Sequence, residues 1–115
     1  MSAAAPAGEF VTVARVEEIP AGQMKYVDVR GVPVALCNVE GHMFAVGNLC
    51  THDDGPLSGG SLDGYAIECP RHGARFDVRN GRVLCLPAAV PIPSYPVKIQ
   101  DGQVLVSVGA GGSHA

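Results

Sequence analysis

The chain has 115 residues, of which 47% are hydrophobic and 17% charged, and its net charge is −3. This is an ordinary globular balance with enough residues for one domain with a modest core, so overall disorder is excluded. The net charge argues against a nucleic-acid partner, and the lack of a run of about eighteen apolar residues argues against a membrane span.

Short β-branched segments separated by turn residues recur along the chain, without sustained helical spacing of apolar residues. This pattern predicts an all-β protein. Turns are predicted at Gly31, Gly41, Gly81 and Gly102, where glycine accompanies another turn residue or separates two apolar segments. The predicted strands are residues 10–16, 24–30, 32–38, 43–46, 65–68, 75–78, 82–85, 97–100 and 103–108.

Residues 51–64 are rich in Gly, Ser and Asp, and they predict one long loop between strands. Long ordered loops in small domains usually carry function. Later, four prolines between residues 87 and 96 argue against a central strand there. We expect a single domain over residues 1–115, with short tails at 1–8 and 109–115. The Ala-rich start lacks the basic and apolar regions of a secretory signal.

Two short motifs stand at the ends of this loop, Cys50-Thr51-His52 and, sixteen residues later, Cys69-Pro70-Arg71-His72. Two Cys and two His can hold zinc, but zinc sites usually pair like with like or use Cys-x-x-Cys. Here each motif combines one Cys with one His. Mixed pairs suit a 2Fe–2S cluster in which one iron takes both thiolates and the other takes both imidazoles.

At these residues the chain resembles the Rieske iron–sulfur proteins. The flanking Gly73-Ala74-Arg75-Phe76-Asp77 and the Pro-rich residues 86–91, which look like the loop that covers the cluster, extend the match. The resemblance implies an antiparallel β-sandwich or barrel with a small cluster-binding subdomain, at about residues 47–85, formed by two loops. It also implies four ligands to one Rieske-type 2Fe–2S cluster: Cys50, His52, Cys69 and His72.

Departures from the respiratory branch of this family narrow the expectation. That branch has a disulfide between the two loops, but the corresponding residues here are Gly55 and Arg71. It also has Ser and Tyr hydroxyls that donate to the cluster sulfurs, where this chain has Ala74 and Phe76. Because such donors raise the potential, their absence predicts the low end of the Rieske range, around −150 mV.

The resemblance therefore implies a low-potential ferredoxin without a catalytic site of its own. It would carry one electron from a flavin- and NAD(P)H-dependent reductase to a terminal Rieske non-haem iron oxygenase of aromatic hydrocarbon catabolism, in the cytoplasm. We expect a transient interface around His52 and His72, with Leu57, Pro91 and Arg71 nearby. The alternatives are a small Rieske-type subunit of an NAD(P)H nitrite reductase, a detached cluster domain of an oxygenase, and a zinc module.

The remaining cysteines and the charged residues have plainer interpretations. Cys37 and Cys85 lie in apolar segments, and we expect both to be reduced and at least partly buried. The arginines of residues 71–82 either belong to the docking surface or pair with nearby acids as scaffold. The sequence leaves both interpretations open.

Overall fold

The computed structural model describes residues 9–48, 57, 60–69, 73–85 and 90–108. Within these ranges the chain forms strands and one single-turn 3-10 helix, Val16–Glu18. The strands are β1 Val11–Arg15, β2 Met24–Val29, β3 Val32–Val39, β4 His42–Gly47, β5 Ser61–Asp63, β6 Ala66–Glu68, β7 Arg75–Asp77, β8 Val83–Cys85, β9 Ser94–Tyr95, β10 Val97–Gln100 and β11 Gln103–Val106.

These strands form three antiparallel sheets, which confirms the predicted all-β class. The terminal sheet has the order β1-β11-β10, the central sheet β2-β3-β4-β9, and the hairpin sheet β5-β6-β7-β8. In the terminal sheet the first strand pairs with the last, with Val11 opposite Val106. The described part of the Pro-rich segment contributes β9, a two-residue strand at the edge of the central sheet, in keeping with prolines that argued against a central strand.

Tight turns set the register of three hairpins. Arg30-Gly31, Glu40-Gly41 and Asp101-Gly102 each have two consecutive residues at positive φ. This conformation matches the right-handed twist of the strands it joins, and it explains why glycine occupies the second position.

The sequence missed two short strands, β5 and the two-residue edge strand β9. The predicted loop over residues 51–64 is wrong at β5, where Ser61 pairs with Glu68 and Asp63 with Ala66. Leu62 is the only apolar residue of this strand, and its polar neighbours Ser61 and Asp63 are exposed, as expected for alternating strand residues. Three residues are too short for that alternation to be recognised in a Gly-rich context.

The buried side chains form two separate cores that share β3. Val34 and Leu36 face a scaffold core that also contains Val27, Val29, Ala45, Val104 and Val106. Ala35, Cys37 and Val39 face the opposite way into a hairpin core with Leu57, Ile67, Cys69, Ala74, Phe76, Val78 and Ile92. Since successive strand residues point to opposite faces, β3 is buried on both sides and joins the two cores.

Candidate metal centre

Cys69 follows directly after β6 and is 1% exposed. Its N–H donates to the carbonyl of Ala74 at 2.7 Å, and its carbonyl accepts from the N–H of Gly73 at 3.2 Å. Gly73 has φ 76°, a conformation that strongly favours glycine. Backbone hydrogen bonds therefore join Cys69, the first residue of the second motif, to the Gly73 and Ala74 that follow the motif, and the Cys69 side chain lies in the hairpin core.

The residue two positions before the first motif, Asn48, is a buried asparagine that holds the chain through hydrogen bonds. Asn48 follows β4 and is 3% exposed. Its N–H donates to the carbonyl of Pro33 at 3.0 Å, and its Oδ1 accepts from the N–H of Leu57 at 3.0 Å. Residues on both sides of the Cys50-Thr51-His52 motif are thus joined through one side chain.

Leu57 is fully buried in the hairpin core, together with Cys69. The prediction that Leu57 lies on a docking surface is therefore wrong. Burying a leucine side chain is worth about 1.5–3 kcal/mol, enough to draw an apolar residue out of an otherwise polar loop. Pro91, which was predicted to lie on the same surface, is exposed.

Of the four predicted ligands, Cys69 alone lies within the described residues; Cys50, His52 and His72 lie outside them, as does Arg71. Within the described ranges no three His, Cys, Asp or Glu side chains form a metal-binding group. The structure does bring Leu57, five residues after His52, into the same core as Cys69. A residue that follows the first motif and the first residue of the second motif therefore belong to one packing unit.

The surroundings of Cys69 fit an iron–sulfur cluster. Ala74 and Phe76 are both fully buried in the core that contains Cys69, so their side chains contribute apolar atoms and no hydroxyl donor. A buried cysteine held in a glycine-containing turn suits a structural thiolate ligand, because metal-bound thiolates need shielding from solvent and a fixed direction.

Backbone hydrogen bonds also hold the Pro-rich segment. The N–H of Ile92 donates to the carbonyl of Gly81 at 2.9 Å, while the N–H of Gly81 donates to the carbonyl of Asp77 at 2.6 Å. A Cβ on Gly81 would overlap the carbonyl of Ile92. Residues 86–89, predicted to cover the cluster, lie outside the described residues, while Val90 is 57% exposed.

Two arginines serve as scaffold. Arg75 donates to Glu68 across the hairpin sheet at 2.9 and 3.1 Å, and lies 3.6 Å from Asp63. Arg79 binds both oxygens of Asp77, and its guanidinium stacks 4.1 Å above the Tyr65 ring. Hydrogen bonding from Arg79 lowers the pKa of the Asp77 carboxyl. The scaffold interpretation is therefore confirmed for these two residues.

The prediction for Cys37 is also confirmed. It is a free thiol, fully buried, and this burial raises its pKa to about 12. Cys85 lies in β8, and its side chain lies outside the described set. Sequence reasoning missed Asn48, although a polar residue just before the first motif, at the end of an apolar strand, is the available signal.

Comparisons with known proteins agree with this geometry. The Rieske 2Fe-2S domain family matches residues 9–96. A ferredoxin component of the naphthalene 1,2-dioxygenase system of Pseudomonas aeruginosa is 43% identical over 100 residues, covering 87% of this chain and 96% of the relative.

Two solved structures are similar throughout. The ferredoxin of carbazole 1,9a-dioxygenase from Nocardioides aromaticivorans IC177 has a TM-score of 0.84 and 32% identity, covering 87% of this chain and 98% of that one. A chain from a complex of reduced oxygenase and oxidized ferredoxin in carbazole 1,9a-dioxygenase has a TM-score of 0.81 and 33% identity, covering 85% and 92%.

The chain belongs to the Rieske 2Fe-2S domain family, whose cofactor is a Rieske-type 2Fe–2S cluster. Within this family, the relatives that are 42% and 43% identical to this chain are ferredoxin components, which carry electrons for dioxygenase systems and are not the catalytic subunits. No helix in the described ranges is long and apolar enough to cross a membrane.

Proposed function

We propose that this chain is the ferredoxin component of a multicomponent aromatic-ring dioxygenase. It takes one electron from a flavin- and NAD(P)H-dependent reductase and delivers it to a terminal Rieske non-haem iron oxygenase. The observation that carries the proposal is the 43% identity, over nearly the full length of both chains, to a ferredoxin component of such a system. The similarity to a ferredoxin chain solved in complex with its oxygenase supports the terminal partner.

We assign the cluster ligands to Cys50, His52, Cys69 and His72. When bound, the cluster supplies a one-electron redox couple. The chain supplies the buried Cys69 thiolate, fixed by the backbone hydrogen bonds of Gly73 and Ala74, and an apolar wall at Phe76. Because Ala74 and Phe76 offer no hydroxyl donor, we propose a reduction potential near the low end of the Rieske range, roughly −150 mV.

Docking is proposed to occur around His52 and His72, with Pro91 at its rim. Redox partners of this kind use small interfaces that separate readily, which suits a carrier that alternates between two proteins. The burial of Leu57 removes that residue from the interface, whereas exposed Val90 and Pro91 extend it along the Pro-rich segment.

We also propose that residues 1–115 form a single Rieske domain with its cluster-binding part at about 47–85, which contains the hairpin sheet. A cytoplasmic location follows from an NAD(P)H-dependent reductase partner, and the free buried thiol of Cys37 is in keeping with a reducing compartment. The alternative of a nitrite reductase subunit is not favoured, because the relatives are ferredoxin components of dioxygenase systems.

Reconstitution tests the proposal. Purified protein should contain iron and acid-labile sulfide in equal amounts, give a Rieske-type EPR signal when reduced, and restore product formation by a dioxygenase system that lacks its ferredoxin. The double variant His52→Ala, His72→Ala should lose the EPR signal and the restored activity. Wild-type protein without acid-labile sulfide, or a double variant that keeps the signal, would contradict the proposal.

A further inference from the structure

The hydrogen bond between Asn48 and Leu57 closes the chain around the first motif. The amide oxygen of Asn48 and the N–H of Leu57 are 3.0 Å apart, and both residues are buried. Residues 49–56, with Cys50 and His52, connect these two points. One buried side chain thus fixes the separation of the two ends of the segment that contains half of the proposed ligand set.

Both ends are themselves anchored. The N–H of Asn48 donates to Pro33 on the central strand β3, and the Leu57 side chain packs into the hairpin core beside Cys69. The carbonyl of Leu57 also accepts from the N–H of Gly60 at 2.9 Å, which holds the chain as it leaves toward β5. The segment that contains the first motif therefore leaves from the end of β4, where Asn48 is held to β3, and returns at Leu57 to the core that contains Cys69.

We propose that Asn48 is a positioning residue for the cluster: it sets the first ligand pair, Cys50 and His52, against the second through its bond to Leu57. This inference rests on the proposed function, since the ligand assignment belongs to it. Without the Asn48 oxygen, the buried N–H of Leu57 loses its acceptor, and the return point of the segment is no longer held to its start. The cluster then dissociates faster and its spectrum changes.

Asn38 provides a matched control within the same hairpin. It is also a buried asparagine, at 8% exposed, whose Oδ1 accepts from the N–H of Gly41 at 2.8 Å and whose Nδ2 donates to Ile19 at 2.7 Å. Asn38 pairs with Met43, at the opposite end of β4 from Asn48, about 16 Å away along the strand. Replacing Asn38 removes the same kind of side-chain hydrogen bond and destabilises the fold, but it leaves the first motif unchanged.

The test compares holoprotein of wild type, Asn48→Ala, Asn48→Asp and Asn38→Ala. The rate of cluster loss is followed as bleaching of the visible absorbance in excess iron chelator, with the EPR g values and the melting temperature measured on the same samples. Asn48→Ala should lose its cluster at least tenfold faster than Asn38→Ala and show shifted g values. Asn48→Asp, which keeps an acceptor oxygen, should remain within about threefold of wild type.

Equal cluster loss in Asn48→Ala and Asn38→Ala would overturn the inference and leave the proposed function intact. So would Asn48→Asp losing its cluster at least tenfold faster than Asn38→Ala, and this comparison can be made even when Asn48→Ala is recovered only as apoprotein. Absence of a Rieske EPR signal in the wild type would instead refute the proposed function.

Discussion

Asp77 is the one buried charged residue in the described part of the chain, and its partner explains why the fold tolerates it. Arg79 reaches it with Nε at 3.0 Å, Nη2 at 2.9 Å and its backbone N–H at 2.8 Å. These bonds favour the carboxylate and lower the pKa of Asp77. A group whose folded pKa is depressed contributes stability above its unfolded pKa, near 3.9, and loses it as the pH falls through the folded value.

We therefore expect the free energy of unfolding of Asp77→Asn to be about 1 kcal/mol lower than that of wild type at pH 7. The difference is small because the Arg79 side chain is half exposed. The difference from wild type should shrink as the pH falls from 5 toward 2. Denaturant titration over this range measures it. Glu17→Gln is the control, since Arg15 and Glu17 form the same type of pair in solvent and should show no measurable effect. A difference for Asp77→Asn that grows in acid would contradict this account.

Ala74 tests the assignment of a low potential. Its side chain is fully buried in the core that contains Cys69, so we expect a hydroxyl at this position to lie close to the proposed cluster. Ala74→Ser should raise the midpoint potential by about 40 mV, if the new donor binds the reduced cluster about 1 kcal/mol more strongly than the oxidised one. Protein-film voltammetry measures the shift. Ala45→Ser, at a buried alanine in the scaffold core, should destabilise the fold without moving the potential.

At the scale of elements, Gly81 shows how a turn controls a neighbouring segment. It has φ 81° and accepts the N–H of Ile92, which leaves no room for a side chain. Gly81→Ala should cost about 3 kcal/mol or more in unfolding free energy, because it combines a strained φ with overlap on backbone atoms.

Gly64 offers a matched comparison. It turns β5 into β6 at φ 58°, and a Cβ there would meet no atom within 4 Å. Gly64→Ala should therefore cost only the conformational strain, about 1–2 kcal/mol. Thermal denaturation of the two variants separates the contributions, and equal losses would show that contact with Ile92 is unimportant.

Much of the element order follows from local sequence. The Gly-containing turns at Gly31, Gly41 and Gly102 predicted their hairpins, since positive φ is a local requirement. Leu57 and β5 could not be predicted in the same way. The burial of Leu57 depends on a core assembled from distant strands, and the three residues of β5 acquire their strand character only by pairing with β6.

The same distinction between local sequence and tertiary packing applies to the metal centre. The Cys and His spacing predicted the cofactor, because the types of the ligand residues and their separation in sequence indicate which metal group they can bind. The support beneath it, Asn48 bound to Leu57, depends on where two chain segments meet in space and on the burial around them. Sequence spacing alone does not report such a contact.

At the scale of the whole molecule, the two cores predict an uneven response to loss of the cluster. The proposed ligand Cys69 belongs to the hairpin core, and no proposed ligand is among the described residues of the scaffold core. In apoprotein prepared with a chelator, the amides of Ile67 and Phe76 should exchange hydrogen much faster than in holoprotein. The amides of Val104 and Val106 should change little. Uniform loss of protection would mean that the cores unfold as one unit.

The pairing of β1 with β11 has a practical consequence. Val11 and Val106 are partners in the terminal sheet, whose buried side faces the scaffold core, whereas Cys69 lies in the core on the opposite face of β3. A linker attached near either of these strands would hold the molecule by the side remote from Cys69. Immobilisation on an electrode, or fusion to a reductase through such a linker, should accordingly leave the electron-exchanging end facing outward.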